Sequence, residues 1–193
     1  TNDDIYAYPK HLGTGASLWG TLSQPGTISL VLRTETADGG TPLYGVASSG
    51  IQYLQSGGND NYSGQWVLGS KATGLTETIL PSADIVTGEF QIHTLIFDGA
   101  NSKHYIDGEL VATGNAGTAS LSGLLLGAFQ TGTYGTWTGD IAEILVYSAA
   151  LSDLDRASVE NYLYQRHFVP EPSAFALTSL GLGILLLRRR RQV

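Results

Sequence analysis

Apolar and polar positions alternate in short runs along most of the chain, and glycine, asparagine or aspartate punctuates the runs. β-Branched and aromatic residues fill them, which is the pattern of half-buried strands. It predicts strands over Ile28–Thr34, Leu43–Ser48, Ile51–Gln55, Gln65–Ser70, Phe90–Phe97, Lys103–Ile106, Glu109–Thr113, Leu124–Phe129 and Asp140–Ser148. In the stretch YIDGELVA, Asp107-Gly108 stands between two of these runs, and that pair tolerates the positive φ angles of a tight hairpin. No helical period interrupts the first 150 residues. Parallel strands need crossovers, so the sheets are expected to be mainly antiparallel.

The pattern changes once, in LSDLDRASVENYLYQRHF. Ser152 is placed to cap the amide of Asp155, and Asp155 to return the bond as a capping box. Asp153 and Asp155 sit at the positive end of the helix dipole, with Arg166 and His167 at the negative end. Val159, Tyr162 and Leu163 fall at i, i+3 and i+4, a stripe that would lie on the sheet. Pro170 and Pro172 bar continuation. Residues 1–168 therefore read as the domain and 169–193 as a tail.

The tail follows a third pattern. Residues 174–187 carry no charge, and Arg188, Arg189, Arg190 and Arg191 follow directly. As a helix this run spans ~21 Å, short of a hydrocarbon core of ~30 Å. Four consecutive arginines do not fit a soluble core, but they snorkel to a membrane face and so lengthen a short span. The positive-inside rule would put them in the cytoplasm and the domain outside. The alternative is a basic tail on a surface helix.

Composition narrows the function classes. The whole chain has a formal charge of −7, with 17 acidic and 10 basic residues. Four of those bases are in the tail, so residues 1–172 hold six bases against all 17 acids, a balance of −11. Such a body repels a phosphate backbone, which excludes a nucleic-acid partner. Cysteine is absent, which removes disulfides, thiol catalysis and cysteine-metal sites. Methionine is absent too, including at position 1, so sequence upstream of Thr1 is expected. There is no Gly-x-Ser-x-Gly elbow, His-Glu-x-x-His pair or phosphate loop. The four histidines, His11, His93, His104 and His167, are scattered. His93 and His104 could meet across neighbouring strands but lack a third zinc ligand, and solvent-facing strand positions are expected for them.

Two resemblances add to this reading. FQIHTLIFDGANSKHYIDGELVATG and TGDIAEILVYSAALSDLDRASVENYLYQRH resemble the later half of a LamG-like, concanavalin A-like domain. The resemblance implies an all-β, antiparallel two-sheet jelly-roll sandwich with one C-terminal α-helix. TNDDIYAYP resembles the piece that follows an early Phe-Asp-Gly strand in such domains, so a truncated N-terminus is expected. Val169-Pro170-Glu171-Pro172, the short apolar helix and the terminal arginines resemble a PEP-CTERM sorting signal. That resemblance implies a bacterial protein exported by a signal peptide and held transiently in the inner membrane. It further implies cutting by an exosortase-type enzyme and release to the cell surface or an extracellular polysaccharide matrix.

The fold resemblance also sets which sites to weigh. LamG-like domains often hold calcium through loop carboxylates and carbonyls, and calcium takes six to eight oxygens. The loops that would supply them contain Asp60 and Asn61, and Asp98 and Asn101, residues that also suit plain turns. Tyr62, Trp66, Tyr134 and Trp137 lie in or beside glycine-rich loops and are the candidate stacking rings for a sugar; their alternative is burial between the sheets. A retaining glycosidase needs two carboxyl groups about 5–5.5 Å apart. The Glu-x-Asp-x-x-Glu strand common in this fold's enzymes is missing, and Asp140 and Glu143, three apart on a strand, are expected on opposite faces. The chain is accordingly expected to be no enzyme but a glycan-binding or adhesion module. The alternatives are a structural or protein-interaction module and a diverged glycosidase.

Overall fold

The computed structural model describes residues 5–8, 11–14, 21–37, 40–45, 50–56, 62–72, 76–121, 123–128 and 136–169. Over these the chain forms β1 (Ile5–Tyr8), β2 (His11–Thr14), β3 (Gly26–Thr34), β4 (Gly40–Gly45), β5 (Gly50–Ser56) and β6 (Gln65–Ala72). Then come β7 (Thr78–Asp84), β8 (Phe90–Phe97), β9 (Ser102–Ile106), β10 (Glu109–Gly114), β11 (Leu124–Leu126), β12 (Gly139–Tyr147) and the helix α1 (Asp153–His167). One sheet has seven strands in the order β1-β2-β11-β4-β5-β6-β7; the other has five, β10-β9-β8-β3-β12. Every pairing between these strands is antiparallel. The expected two-sheet antiparallel sandwich with a C-terminal helix is what forms. Among the described residues no helix is long and apolar enough to cross a membrane, and the predicted span over 174–187 lies outside them.

Strand parity sorts the core. Ile28, Leu30 and Leu32 of β3, Leu95 and Phe97 of β8, Leu43 and Leu54, and Trp66 and Leu68 of β6 meet between the sheets. The intervening residues of the five-stranded sheet are mixed: Ser29 and Thr94 are buried polar neighbours, while Val31 and Ile92 are covered by Leu163 of α1. That double burial explains why the sequence ISLVL in β3 reads as a nearly continuous apolar run. At one mouth of the sandwich Trp137 closes the core, with its Nε1 donating to Thr34 Oγ1 at 2.9 Å. It fits because its neighbours have no side chain: a Cβ on Gly40 would lie 2.6 Å from Trp137 Cα, and one on Gly139 2.2 Å from the Arg33 carbonyl oxygen.

Some expectations are corrected. β7 was not predicted; its Pro81 is tolerated since β7 is the outer strand of its sheet, where a ladder donor is dispensable. β1 and β2 were also not predicted. The hydroxyl of Ser152 caps the Asp155 amide at 3.2 Å as expected, but the Asp155 carboxylate accepts from that same hydroxyl at 2.7 Å instead of reaching the backbone.

The histidines give the largest correction. His93 and His104 are both fully buried, because they share parity with Leu95 and Ile106 on the inner face of their sheet. His93 Nδ1 and His104 Nε2 are 3.0 Å apart, and His104 Nδ1 is 2.7 Å from Ser82 Oγ on the opposite sheet. Trp66 packs edge-on against His93 at 4.9 Å between centroids. His93 Nε2 and Trp66 Nε1 have no hydrogen-bond partner. Burial pushes His93 down to about 3; burial, then the neighbouring His93, pushes His104 well below its ordinary value.

Both imidazoles therefore stay neutral in the folded protein, while in the unfolded chain they take up protons below about pH 6.5. Their stabilising contribution is complete above that pH and is lost as pH falls toward the folded values. Two such groups impose a slope of up to ~2.7 kcal/mol per pH unit. Urea midpoints measured from pH 7.5 to 4.5 are expected to be flat above 6.5 and to fall steadily below it. His93→Phe is expected to reduce that slope by about half; a midpoint independent of pH would contradict the buried pair.

Candidate functional site

The Asp107-Gly108 turn forms as its sequence requires, with φ of 50° at Asp107 and 86° at Gly108. The turn is also tied to the sheet. The Asp107 amide donates to the Ile92 carbonyl at 2.8 Å, and Asp107 Oδ1 accepts from the Ile92 amide at 2.8 Å. This pins one carboxylate oxygen and leaves the other facing out beside the helix.

Helix α1 lies across the same face. Leu163 anchors it on Val31 and Ile92, and two turns earlier Arg156 stacks on the Tyr105 ring at 3.9 Å. Arg156 Nη1 donates to Glu160 Oε2 in an i,i+4 ion pair, and Glu160 is only 8% exposed. Arg156 Nε and Glu160 Oε1 are closed off from solvent and have no hydrogen-bond partner. At the other end of the helix Glu143 of β12 receives Tyr162 Oη at 3.1 Å, His167 Nε2 at 2.7 Å and Arg166 Nε at 3.0 Å. Partial burial works to raise the Glu143 carboxyl, but the bonds from His167 and Tyr162 and the charge of Arg166 outweigh it and hold it below its ordinary value.

Between α1 and the turn lies a groove of about 550 Å³, within the usual ~300–1,000 Å³ of ligand sites. Its walls are Phe90 on one side and Tyr164 and Phe168 on the other; its polar groups are Asp107, Arg156, Glu160 and Asn161. Tyr164 and Phe168 stack with centroids 5.7 Å apart and planes 6° from parallel. Phe90 is 39% exposed and Tyr164 51%, so flat apolar rings flank the exposed Asp107 carboxylate at one opening. Gly108 keeps the turn side low: a Cβ there would come 3.6 Å from Glu160 Oε2.

Most of the residues predicted from sequence lie elsewhere. Trp66 is fully buried in the inter-sheet core and Trp137 is buried at its mouth, so neither ring offers a face to a sugar in solution. Tyr62 is half-buried against the outer face of the seven-stranded sheet with Tyr44 and Tyr53. Tyr134, Asp60 and Asn61 lie outside the described residues, as do Pro170, Glu171, Pro172 and Arg188–Arg191; Val169 is exposed just after the helix. Asp98 and Asn101 are brought together in one short 3-10 turn, where the Asn101 amide donates to the Asp98 carbonyl at 2.9 Å. The surrounding polar groups are already used: Ser102 Oγ donates to Gly99 O, and Gln24 Oε1 accepts the Gly99 amide. With one carboxylate against six to eight oxygens, this pair alone does not make a calcium site. Among the described residues no three His, Cys, Asp or Glu side chains cluster as metal ligands.

The parity argument for Asp140 and Glu143 is overturned. A bulge between Ile141 and Glu143 puts both carboxylates opposite residues of like parity, Arg33 and Val31, and so on one face. Each is engaged separately, Asp140 by Arg33 and Glu143 by the helix end. The groove itself was missed, because its residues come from β8, the turn and α1; its only local signal was the aromatic pair Tyr164 and Phe168, four apart on a helix.

Residues 10–155 match the family Laminin_G_3, the concanavalin A-like lectin/glucanases superfamily. No curated protein matches the sequence. Among solved structures, the native heptameric SAP-like pentraxin from Limulus polyphemus is similar at 16% identity and a TM-score of 0.58, covering 81% of this chain and 78% of that one. Domain 4 of AbnA, a GH43 extracellular arabinanase from Geobacillus stearothermophilus in complex with arabinotriose, is similar at 19% identity and TM-score 0.59, covering 78% and 72%. The binding domain of Paraclostridial Mosquitocidal Protein 1 is similar at 11% identity and TM-score 0.61, covering 83% of this chain and 42% of that one. At these identities the likeness concerns the fold.

The two hydrogen bonds between Asp107 and Ile92, one through the backbone and one through the carboxylate, make the turn separable by mutation. Asp107→Asn keeps an acceptor and tolerates positive φ, and is expected to change stability by less than about 1 kcal/mol. Asp107→Ala strands the Ile92 amide and strains the turn, and is expected to cost ~1–3 kcal/mol in urea unfolding.

Proposed function

The chain belongs to the concanavalin A-like lectin/glucanases superfamily, and from that premise we propose that its domain is a non-catalytic glycan-binding or adhesion module of an exported bacterial surface or matrix protein. The observation that carries this reading is the groove of Phe90, Tyr164 and Phe168 over Asp107, Arg156 and Glu160. Rings that expose a flat apolar face beside carboxylate acceptors suit a sugar, which has apolar C–H faces and a rim of hydroxyls. Binding without turnover is favoured by the state of Asp140 and Glu143. Each is held by its own cations, so neither is placed as a free acid or nucleophile.

The tail supplies the address. The run over 174–187 inserts in the inner membrane, Arg188–Arg191 stay on its cytoplasmic side, and an exosortase-type enzyme cuts near Pro170-Glu171-Pro172. The support is the order Pro-Glu-Pro, apolar run, arginines; the fold does not bear on it. The domain is then freed to the cell surface or to an extracellular polysaccharide.

Two measurements test the reading. The intact chain, applied to a glycan array, is expected to bind saturably and to lose at least tenfold in affinity on Tyr164→Ala with its urea midpoint unchanged. A folded chain that binds no glycan would leave the structural or protein-interaction reading in its place. In a host with the sorting enzyme, the mature protein is expected to lack the peptide containing Arg188–Arg191 by mass spectrometry; recovery of the full tail there would refute the sorting proposal.

A further inference from the structure

We propose that the groove selects uncharged, hydroxyl-bearing saccharides and rejects acidic ones, an inference that rests on the glycan-binding reading above. The argument is one of charge and of unmet hydrogen bonds. Three charged groups line the groove: Asp107, Arg156 and Glu160. Arg156 is already neutralised by Glu160 and stacked on Tyr105. The charge left for a ligand is therefore that of Asp107, whose second carboxylate oxygen is not used by the Ile92 amide. A uronate carboxylate entering the groove finds no free cation and one free anion, at short range and beside a low-dielectric wall.

The unmet polar capacity points to hydroxyls. Glu160 Oε1 lacks a donor and Arg156 Nε lacks an acceptor, and both atoms are sealed from water. A sugar hydroxyl is a group that donates to a carboxylate and accepts from a guanidinium N–H. Both atoms are closed to solvent, so a hydroxyl reaches them only as the groove wall gives way, and the acceptor open without that movement is the second Asp107 oxygen. The wall sets the rest of the ligand. Tyr164 and Phe168 are stacked 6° from parallel, so the exposed Tyr164 ring is held flat for a saccharide ring to lie against.

The test uses the intact chain, titrated calorimetrically with maltohexaose, xylohexaose and mannohexaose as neutral probes and with hexagalacturonate as the acidic one. At least one neutral hexaose is expected to bind, with hexagalacturonate at least tenfold weaker than that ligand. Tyr164→Ala is expected to weaken the neutral ligand at least tenfold. Glu160→Gln with Asp107→Asn removes both groove carboxylates and leaves Arg156 only the exposed Asp153, 3.9 Å from its Nε, and is expected to reverse the preference toward hexagalacturonate. A merely structural role for these residues would lower both affinities together. Equal binding of hexagalacturonate by the unaltered chain would overturn the selection while leaving glycan binding intact. Neutral binding indifferent to Tyr164→Ala would overturn the groove as its place. A folded chain that binds none of the four probes would overturn the selection for neutral saccharides, and the array experiment then decides separately whether glycan binding itself survives.

Discussion

Leu163 is the contact on which the functional face depends. The outer face of the five-stranded sheet carries an apolar patch, Val31 and Ile92, that would be exposed without α1. Covering it with Leu163 fixes where the helix lies, and everything else on that face follows from its position. Glu160, one turn earlier, and Arg156, two turns earlier, are brought beside Tyr105; Tyr162 and His167 are brought to Glu143. The groove is the space that a straight helix leaves beside a twisted sheet whose β9–β10 turn rises next to it. Truncating a fully buried leucine costs about 2–5 kcal/mol, more than any exposed ion pair at the helix ends contributes. The ion pairs orient the helix, and the leucine holds it.

The inter-sheet core follows a different logic. Its centre is not wholly apolar: Trp66, His93, His104 and Ser82 form a polar line from one sheet to the other. Such a line is tolerable only while both imidazoles are neutral, since a charged one has no carboxylate in the core to pair with. Two polar atoms remain unmet even so. The sandwich therefore carries a built-in weakness toward acid, while on the outer face the helix end holds the Glu143 carboxyl below its ordinary value. Acid acts on the two layers through different groups.

Much of the fold was legible because its signals are local. Asp107-Gly108 could be read as a hairpin because positive φ restricts the choice of residue, and Ser152 as a cap because the helix start demands an acceptor. What was illegible depended on neighbours. β7 was illegible because sequence does not say which strand is outermost, and so where a proline such as Pro81 is tolerated. Parity put Asp140 and Glu143 on opposite faces because a single bulged residue, Ala142, leaves no mark of its own. The expectation that His93 and His104 face solvent fails because the parity they share with Leu95 and Ile106 places them inside. Trp66 and Trp137 show the limit of residue type as a guide, since an aromatic beside a glycine-rich loop serves a core as readily as a ligand. The groove needed three separate segments, around Ile92, Asp107 and Arg156, and no motif joins them.

Charge operates on this protein at two ranges, and the distinction bears on what the groove selects. The body up to residue 172 carries a balance of −11, a field that repels any polyanion from a distance. At physiological ionic strength that field is screened beyond about 8 Å, so it slows the approach of an acidic polymer without deciding what fits once it arrives. Asp107 is itself exposed, but a ligand carboxylate lying in the groove beside it would be closer than the screening length. Global repulsion should therefore fade with added salt while the local preference persists. A selectivity that vanished in salt would belong to the acidic body; one that survived would belong to the few atoms that Leu163 and the Asp107 turn hold together.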